Sequence, residues 1–190
     1  MSSNIKEIPC YDLIRNEMKT GDVIATADNS WTSKMIRWAT KSSTSHVGMV
    51  YKTGHFIEIL ETVKTGWNTA RVGVTRLSNL ITPNKGERIW WLQLLPEYRE
   101  SLNQEKMLAC LREQKGKHYD FWQAFGSIMP WKNSNDAGKL FCSEAVGQAL
   151  TEGNILPYNY NYSEATPKDI ISLGIYECPV QISGVSTVLY

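Results

Sequence analysis

A cysteine stands where an apolar run turns into a predicted helix. Cys142 follows Leu140 and Phe141, and the apolar residues after it recur at helical spacing until Gly153. This spacing puts Cys142 in the first helical turn, where unpaired N–H groups and the positive end of the helix dipole favour a thiolate. The position alone also fits a small buried hydrophobe, which is the ordinary role of a free cysteine. A catalytic interpretation therefore requires a base.

Three histidines are available as that base: His46, His55 and His118. A thiol nucleophile needs a general base within hydrogen-bond reach and a third group that fixes the tautomer of the base. We favour His46, because it begins a predicted strand after a polar loop and can project at a sheet edge. His55 falls in a predicted hairpin turn, which favours a solvated role. His118 follows a helix end, where a helix-dipole or hydrogen-bonding role is the simpler interpretation.

Two carboxylates on the next predicted strand could orient the imidazole of His46. Glu58 and Glu61 both lie in the run Phe56–Thr62. Strand alternation sends them to opposite faces of the sheet, so at most one of them shares the side of His46. We favour Glu61, near the end of the strand, and Glu58 is the second choice. On pattern alone, a solvated sheet face is the better explanation for both.

The elements that must position these residues are short strands and helices. β-branched and aromatic runs predict strands at Gly21–Thr26, Ser45–Tyr51, Phe56–Thr62, Val72–Thr75 and Ile89–Leu94, around Tyr176 and at Val185–Leu189. Apolar residues at helical spacing predict helices at 11–18, Ser33–Thr40 (capped by Ser33 or Asn29), Ser101–Gln114 and Phe121–Ile128, the cysteine helix, and a helical turn at Pro167–Ile171. Consecutive strands joined by a hairpin turn at Lys52–Gly54 predict an α+β fold, a mostly antiparallel sheet packed against helices.

Length and composition predict one ordinary domain over residues 1–190, with 42% hydrophobic residues to form its core. A formal net charge of +1 with interspersed charges gives no basic face for nucleic acid. The four cysteines are widely spaced, at positions 10, 110, 142 and 178, and form neither a zinc pattern nor a disulfide framework. We therefore expect free thiols, no metal and no other cofactor, while the oligomeric state stays open.

The sequence shows no targeting or membrane-spanning segment. No apolar run approaches the length of a membrane span, and Met1–Lys6 lacks the basic-then-apolar pattern of a signal peptide. As written, the sequence predicts a cytoplasmic protein, or an exported one if a leader has been removed.

Five short motifs, taken in order, resemble one protein family. They are Gly21–Ile24, Ser45–Tyr51, Leu60–Val63, Tyr119–Phe121 and Phe141–Val146. Their order and spacing, from residue 20 to residue 153, are similar to those of the YiiX/YebB-like branch of the NlpC/P60 superfamily, which also includes poxvirus proteins. The resemblance implies a circularly permuted papain-like fold, in which the histidine precedes the nucleophilic cysteine. The runs 64–68 and 89–91 have no counterpart in the family pattern.

The resemblance also implies roles for individual residues. Cys142 would be the nucleophile, His46 the base and Glu61 the residue that orients the imidazole. Tyr119 would lie near the site, where its phenol could stabilise an oxyanion, and backbone N–H groups around Ser143 are natural oxyanion donors. By thiol chemistry, His46 would take the proton of Cys142, and the thiolate would attack a carbonyl to form an acyl-enzyme.

Three functions are consistent with these residues. The leading hypothesis is a cysteine peptidase or amidase that cleaves amide bonds, such as those of cell-wall-type peptides. The second is acyl hydrolysis or transfer on lipids, as in lecithin:retinol acyltransferase-type relatives, which an apolar groove beside Cys142 would favour. The third is a catalytically silent module that binds a peptide or a lipid, against which the retained cysteine, histidine and glutamate argue.

Overall fold

The computed structural model describes residues 11–64, 69–81, 87–114, 118–120, 141–184 and 189. Within these ranges one seven-stranded sheet carries the helices. The strands are β1 (Val23–Ala27), β2 (His46–Thr53), β3 (Phe56–Lys64), β4 (Thr69–Arg76), β5 (Arg88–Leu92), β6 (His118–Asp120) and β7 (Val180–Ser183). The helices are α1 (Tyr11–Ile14), α2 (Trp31–Thr40), α3 (Leu77–Leu80), α4 (Pro96–Ser101), α5 (Gln104–Gln114), α6 (Phe141–Glu152) and α7 (Pro167–Ile171), with a 3-10 turn at Tyr162–Glu164.

The strand order is β6-β4-β3-β2-β1-β5-β7, and each neighbouring pair is antiparallel. β2 and β3 form the predicted hairpin, and its turn contains Gly54 at a φ of 59°, a left-handed conformation that suits glycine. The α+β architecture with a mostly antiparallel sheet, predicted from the strand patterns, is therefore confirmed.

Each face of the sheet has its own hydrophobic core. On one face, strand residues such as Val23 and Trp90 pack with Val146 and other apolar residues of α5 and α6. On the other face, Ile24 and Trp91 belong to a cluster to which α1 and α3 also contribute. Successive strand residues alternate between the two cores, as the period of a strand requires. Trp90 and Trp91 are therefore both buried, one in each core.

A buried carboxylate fixes one end of β1. Asp22 has no exposed surface, and its carboxylate accepts hydrogen bonds from Lys19 N (2.9 Å), Trp91 Nε1 (2.9 Å) and Leu94 N (3.1 Å). It also forms an ion pair with Arg99 of α4. A buried charge is tolerated only when it is paired and hydrogen-bonded in this way. Asp22 thus joins β1 to β5 and α4.

Two helix predictions needed correction. The single helix predicted for 101–114 is divided into α4 and α5, because Leu102 takes an extended conformation and the side chain of Asn103 accepts from Lys106 N at 3.0 Å. α2 begins at Trp31 and not at Ser33. Its N-cap is Ser30, whose side chain accepts a hydrogen bond from Ser33 N.

The helical turn predicted near the end of the chain has the bounds that the structure shows. The turn at Pro167–Ile171 is α7, which has a capping box between Thr166 and Asp169. The strand predicted around Tyr176 is an isolated bridge to Leu94. The strand predicted for 185–189 lies, except for Leu189, outside the described residues. The helix predicted for 121–128 lies outside the described residues. In the part of the chain that the structure describes, no helix has the length and apolar character of a membrane span.

Candidate active site

The site lies where the ladder between β2 and β3 ends. β2 begins at His46, but its pairing with β3 begins only at Met49 and Leu60. Before this point β2 is paired with β1, and beyond Leu60 β3 is paired with β4. The two strands therefore separate here, and the backbone of Val47 is open to a side chain on the β3 side.

Cys142 is the second residue of α6 and is 7% exposed. Burial raises the pKa of its thiol, but the charge and hydrogen bond of His46, with backbone hydrogen bonds from Val47 and Ser143, outweigh this effect. The pKa of Cys142 therefore lies below its ordinary value. The contribution of Val47 depends on the strand separation, since its N–H reaches the sulfur where the ladder with β3 has ended.

His46 connects this thiol to a carboxylate. Its Nε2 lies 2.9 Å from Glu61 Oε2, which leaves Nδ1 as the ring nitrogen available to Cys142. Burial lowers the pKa of His46, but the charge and hydrogen bond of Cys142, followed by those of Glu61, raise it well above its ordinary value. Because the side chain of His46 is 24% exposed, its burial is partial, and the charged partners decide the direction.

Gly48 keeps the space between His46 and Glu61 free of a side chain. It lies two residues after His46, on the same face of β2. A Cβ atom on Gly48 would lie 2.4 Å from Ile59 Cγ2 and 3.1 Å from Glu61 Cβ. Glu61 is also paired with Gly73 of β4 on its other side. The small neighbours on both strands leave room for the carboxylate to approach the imidazole.

Hydroxyl groups fix the turn that leads into His46. Ser33 Oγ of α2 and Ser45 Oγ lie 2.7 Å apart in a buried position. Thr44 Oγ1 donates to the carbonyl oxygen atoms of Thr26 at 2.7 Å and His46 at 3.1 Å. α2 is therefore attached to the residue directly before His46. The composition of this serine- and threonine-rich run indicates only a polar loop, so it does not reveal these supporting residues.

Two other predicted site residues have different surroundings. Glu58 does not orient the imidazole of His46. Its Oε2 accepts a hydrogen bond from Thr53 Oγ1 at 2.9 Å, near the hairpin turn. Ser143 is fully buried, and its Oγ donates to Ala165 O, so its side chain supports α6. Its backbone contacts the sulfur of Cys142, as described above.

The remaining candidates are the tyrosine and the other two histidines. Tyr119 and His118 lie in β6, and their side chains are outside the described part of the structure. The oxyanion role considered for Tyr119 therefore stays a prediction. His55 lies exposed in the hairpin turn, and its carbonyl oxygen accepts from Arg15 Nη2 at 2.6 Å.

The side chains of Cys142, His46 and Glu61 are all of types that bind metals, but they do not form a ligand set. The imidazole lies between the sulfur and the carboxylate, so the three donors do not converge on a point about 2.0–2.3 Å from each. No cluster of three or more His, Cys, Asp or Glu side chains that could hold a metal ion occurs among the described residues. Cys110, Cys142 and Cys178 are free thiols, and Cys10 lies outside the described ranges.

Comparison with known proteins gives a similarity of fold. No protein-family model matches the sequence, and no curated protein matches it. Among solved structures, the chain is similar to the crystal structure of the metalloprotein yiiX from Escherichia coli O157:H7. The two chains are 19% identical and superpose with a TM-score of 0.60, over 87% of this chain and 97% of that chain. At this identity the similarity shows a yiiX-like α+β fold.

Proposed function

We propose that this protein is a cysteine hydrolase of amide bonds, with Cys142 as nucleophile, His46 as general base and Glu61 as the residue that orients the imidazole. One observation carries the proposal: His46 contacts Cys142 and lies 2.9 Å from Glu61. The order of the motifs supports the same roles, because the resemblance to permuted papain-like members of the NlpC/P60 superfamily matches these three positions. The yiiX-like fold is compatible with that resemblance.

The reaction follows from the directions of the two pKa shifts. A lowered thiol pKa beside a raised imidazole pKa favours a thiolate–imidazolium pair. The thiolate attacks the carbonyl carbon of the amide, and His46 gives its proton to the departing amine as the C–N bond breaks. Water then attacks the thioester while His46 takes a proton, which releases the acid and regenerates the thiol.

Two parts of the chain support this cycle without forming bonds to substrate carbon. Glu61 stabilises the charge of the imidazolium and fixes the ring orientation through Nε2. Backbone N–H groups in the first turn of α6, around Ser143, are the donors that we assign to the oxyanion. Metal chemistry has no part in the proposal, because the three side chains do not converge as a ligand set.

A polar groove of about 640 Å³ lies along α6 and the loop that follows it, lined among others by Glu144, Gln148, Thr151, Asn159 and Asn161. Because Glu144 is about 200° around the helix from Cys142, this groove is on the other face of α6 and does not decide between a peptide and an acyl chain. The amide substrate is therefore proposed on the family resemblance.

A second candidate function is acyl hydrolysis or transfer on lipids through the same cysteine. The observation that favours it is the pair of exposed tryptophans on α2, Trp31 and Trp38, each 62% exposed. α2 is attached through Ser33 and Ser45 to the residue before His46, so this apolar surface belongs to the same end of the sheet as the site.

The proposal is tested by comparing the wild-type protein with Cys142→Ala and Cys142→Ser variants. We expect a thiol-directed acylating probe to label Cys142 faster than Cys178, although Cys178 is the exposed thiol, because the partners of Cys142 favour the thiolate. Turnover of a peptide amide should fall by about four orders of magnitude in both variants. A Cys178→Ser variant is the matched control and should keep full turnover.

Three results would count against parts of this assignment. Retained turnover in Cys142→Ala would exclude Cys142 as the nucleophile. Preferential labelling of Cys178 would support a catalytically silent module. Turnover of short-chain esters and phospholipids without any turnover of peptide amides would replace the leading function with the lipid one.

A further inference from the structure

α2 presents aromatic side chains to solvent on one face. Trp31, Lys34 and Trp38 follow helical spacing and are all exposed, with each tryptophan 62% exposed. Met35 lies between them and is half-buried. Single exposed apolar residues are normal on a protein surface, but here two indoles lie on the same face of a ten-residue helix, about two turns apart.

The opposite face of α2 is already used by the fold. Ser33 is buried and its hydroxyl contacts that of Ser45. Arg37 donates from Nε to Ser33 O and from Nη2 to Asp28 O, both at 3.4 Å. The helix is thus fixed with its tryptophan face outward.

Lysines outnumber carboxylates around this face of α2: Asp28 precedes α2, and Asp169 is exposed beside Lys168 of α7. Residues 29 to 57 contain no Asp or Glu, whereas Lys34 and Lys41 are exposed on or next to α2. Lys168 of α7 donates to Lys41 O at 3.1 Å and adds a third ammonium group at the C-terminal end of the helix. Asp28, before α2, accepts hydrogen bonds from both the backbone and the hydroxyl of Ser30.

Indole rings beside ammonium groups match the surface of an anionic lipid bilayer. Tryptophan is favoured at the level of lipid headgroups, where its ring is partly apolar and its N–H can meet water or phosphate. Lysines beside it are attracted by the negative surface potential of anionic lipids. A soluble protein partner would also cover the two indoles, but it would not require lysines around them.

We propose that the exposed face of α2, defined by Trp31, Lys34, Trp38 and Lys41, docks on an anionic phospholipid surface. Docking is peripheral: the two indoles enter the headgroup region, and the lysines remain at the level of the phosphates. Since α2 is attached to the turn before His46, a docked protein keeps the Cys142 end of the sheet next to the lipid surface. The proposal does not depend on the chemistry of Cys142.

The experiment is co-sedimentation of the full chain with phosphatidylcholine vesicles that contain about 30 mol% phosphatidylserine, beside pure phosphatidylcholine vesicles. We expect the wild-type protein to prefer the anionic vesicles and to dissociate as salt is raised. A Trp31→Ala, Trp38→Ala double variant should lose about tenfold or more in partition coefficient. A Lys34→Gln, Lys41→Gln double variant should lose about fivefold for each charge removed.

Matched controls come from other surfaces of the protein. Leu13 and Phe56 are exposed apolar residues, 77% and 49%, and Phe56 lies at the hairpin end of β3, away from His46. A Leu13→Ala, Phe56→Ala double variant and a Lys106→Gln variant should bind vesicles like the wild type. Thermal unfolding verifies that each variant is folded, without use of the reactivity of Cys142.

Each contrary result has a clear meaning. Unchanged partition of the folded tryptophan variant overturns the proposal, as does equal binding of the wild type to neutral vesicles. If the tryptophan variant instead changes from dimer to monomer in analytical ultracentrifugation, with unchanged partition, the face is an interface between two copies of this chain and the lipid proposal is wrong.

Discussion

Asp22, directly before β1, and Glu61, in β3, are carboxylates of the same sheet, but their hydrogen-bond partners differ in kind. Asp22 accepts from backbone N–H groups, from the indole of Trp91 and from Arg99, none of which loses its proton near neutral pH. Glu61 accepts from His46, whose charge changes with pH and which also contacts a thiol. A carboxylate among permanent donors stabilises the fold, whereas one beside a titrating group can take part in proton transfer.

The largest effect that we expect is on stability, from Asp22→Ala. This change leaves Arg99 without its buried partner and removes the acceptor of Trp91 and Leu94. We expect unfolding free energy to fall by about 3–5 kcal/mol, and the melting temperature by roughly 10 °C. Asp12→Ala is the control, because Asp12 is an exposed residue 3.9 Å from Arg15, and it should change the unfolding free energy by less than about 0.5 kcal/mol.

Calorimetry measures the stability of the two aspartate variants, and labelling of Cys142 tests their contrast with Glu61. Below its melting temperature, the Asp22→Ala protein should still be labelled at Cys142 at close to the wild-type rate. A selective loss of labelling in the folded variant would mean that Asp22 acts on the site and is not only structural.

Glu61→Gln should have the opposite profile, with loss of reaction rate and little loss of stability. The amide keeps the shape and can still accept a hydrogen bond from His46, but it no longer stabilises the imidazolium. We expect turnover to fall by about a hundredfold, while the unfolding free energy changes by no more than about 1 kcal/mol. Steady-state kinetics beside thermal unfolding measures both. A variant that unfolds without losing turnover per folded molecule would reverse the assignment.

The pH dependence of the thiolate sharpens the same contrast. The ion pair exists above the lowered pKa of Cys142 and below the raised pKa of His46, since acid protonates the sulfur and alkali deprotonates the imidazole. In Glu61→Gln we expect the pKa of His46 to fall, because the side chain no longer carries the charge that stabilises the imidazolium, so the window should narrow from its alkaline end. Ultraviolet titration of the thiolate, with Cys142→Ser as the blank, measures both limits. A window that widens or stays the same would show that Glu61 does not act on the pair.

The smallest effect belongs to Glu58→Gln. Glu58 accepts from Thr53 at an exposed position and does not contact His46. We expect a change in unfolding free energy of less than about 0.5 kcal/mol and the same rate of turnover as the wild type. The variant is therefore the carboxylate control for Glu61, measured in the same assays. A rate loss equal to that of Glu61→Gln would contradict the assignment of Glu61 alone as the orienting carboxylate.

The choice between these glutamates shows how far the sequence could lead. Alternation correctly predicted that only one of them shares the face of His46. The choice between them depends on the register, in which Met49 is paired with Leu60, so that Gly48 and Glu61 lie on one face and Glu58 on the other. A shift of one residue would have exchanged them, and at the sequence level only the place of Glu61 near the strand end and the resemblance to a family favoured it.

Other features had no readable signal in the sequence. The β2–β3 ladder ends because the two strands separate, and no residue type in the sequence indicates where this happens. The contact between Ser33 and Ser45 depends on how α2 packs, which local pattern does not encode. The apolar run Ile89–Leu94 also does not indicate that the indole N–H of Trp91 is paired with a buried carboxylate sixty-nine residues away in the chain.

The early end of the β2–β3 ladder also makes one amide a reporter of the site. The N–H of Val47 donates to the sulfur of Cys142, whereas that of Val50, three residues later, donates to the carbonyl oxygen of Asp22 at 2.8 Å. The proton resonance of Val47 should therefore shift with the charge on the sulfur, and that of Val50 should shift much less. A single peak in an amide spectrum therefore records the ionisation of Cys142 in the resting protein, with no substrate present.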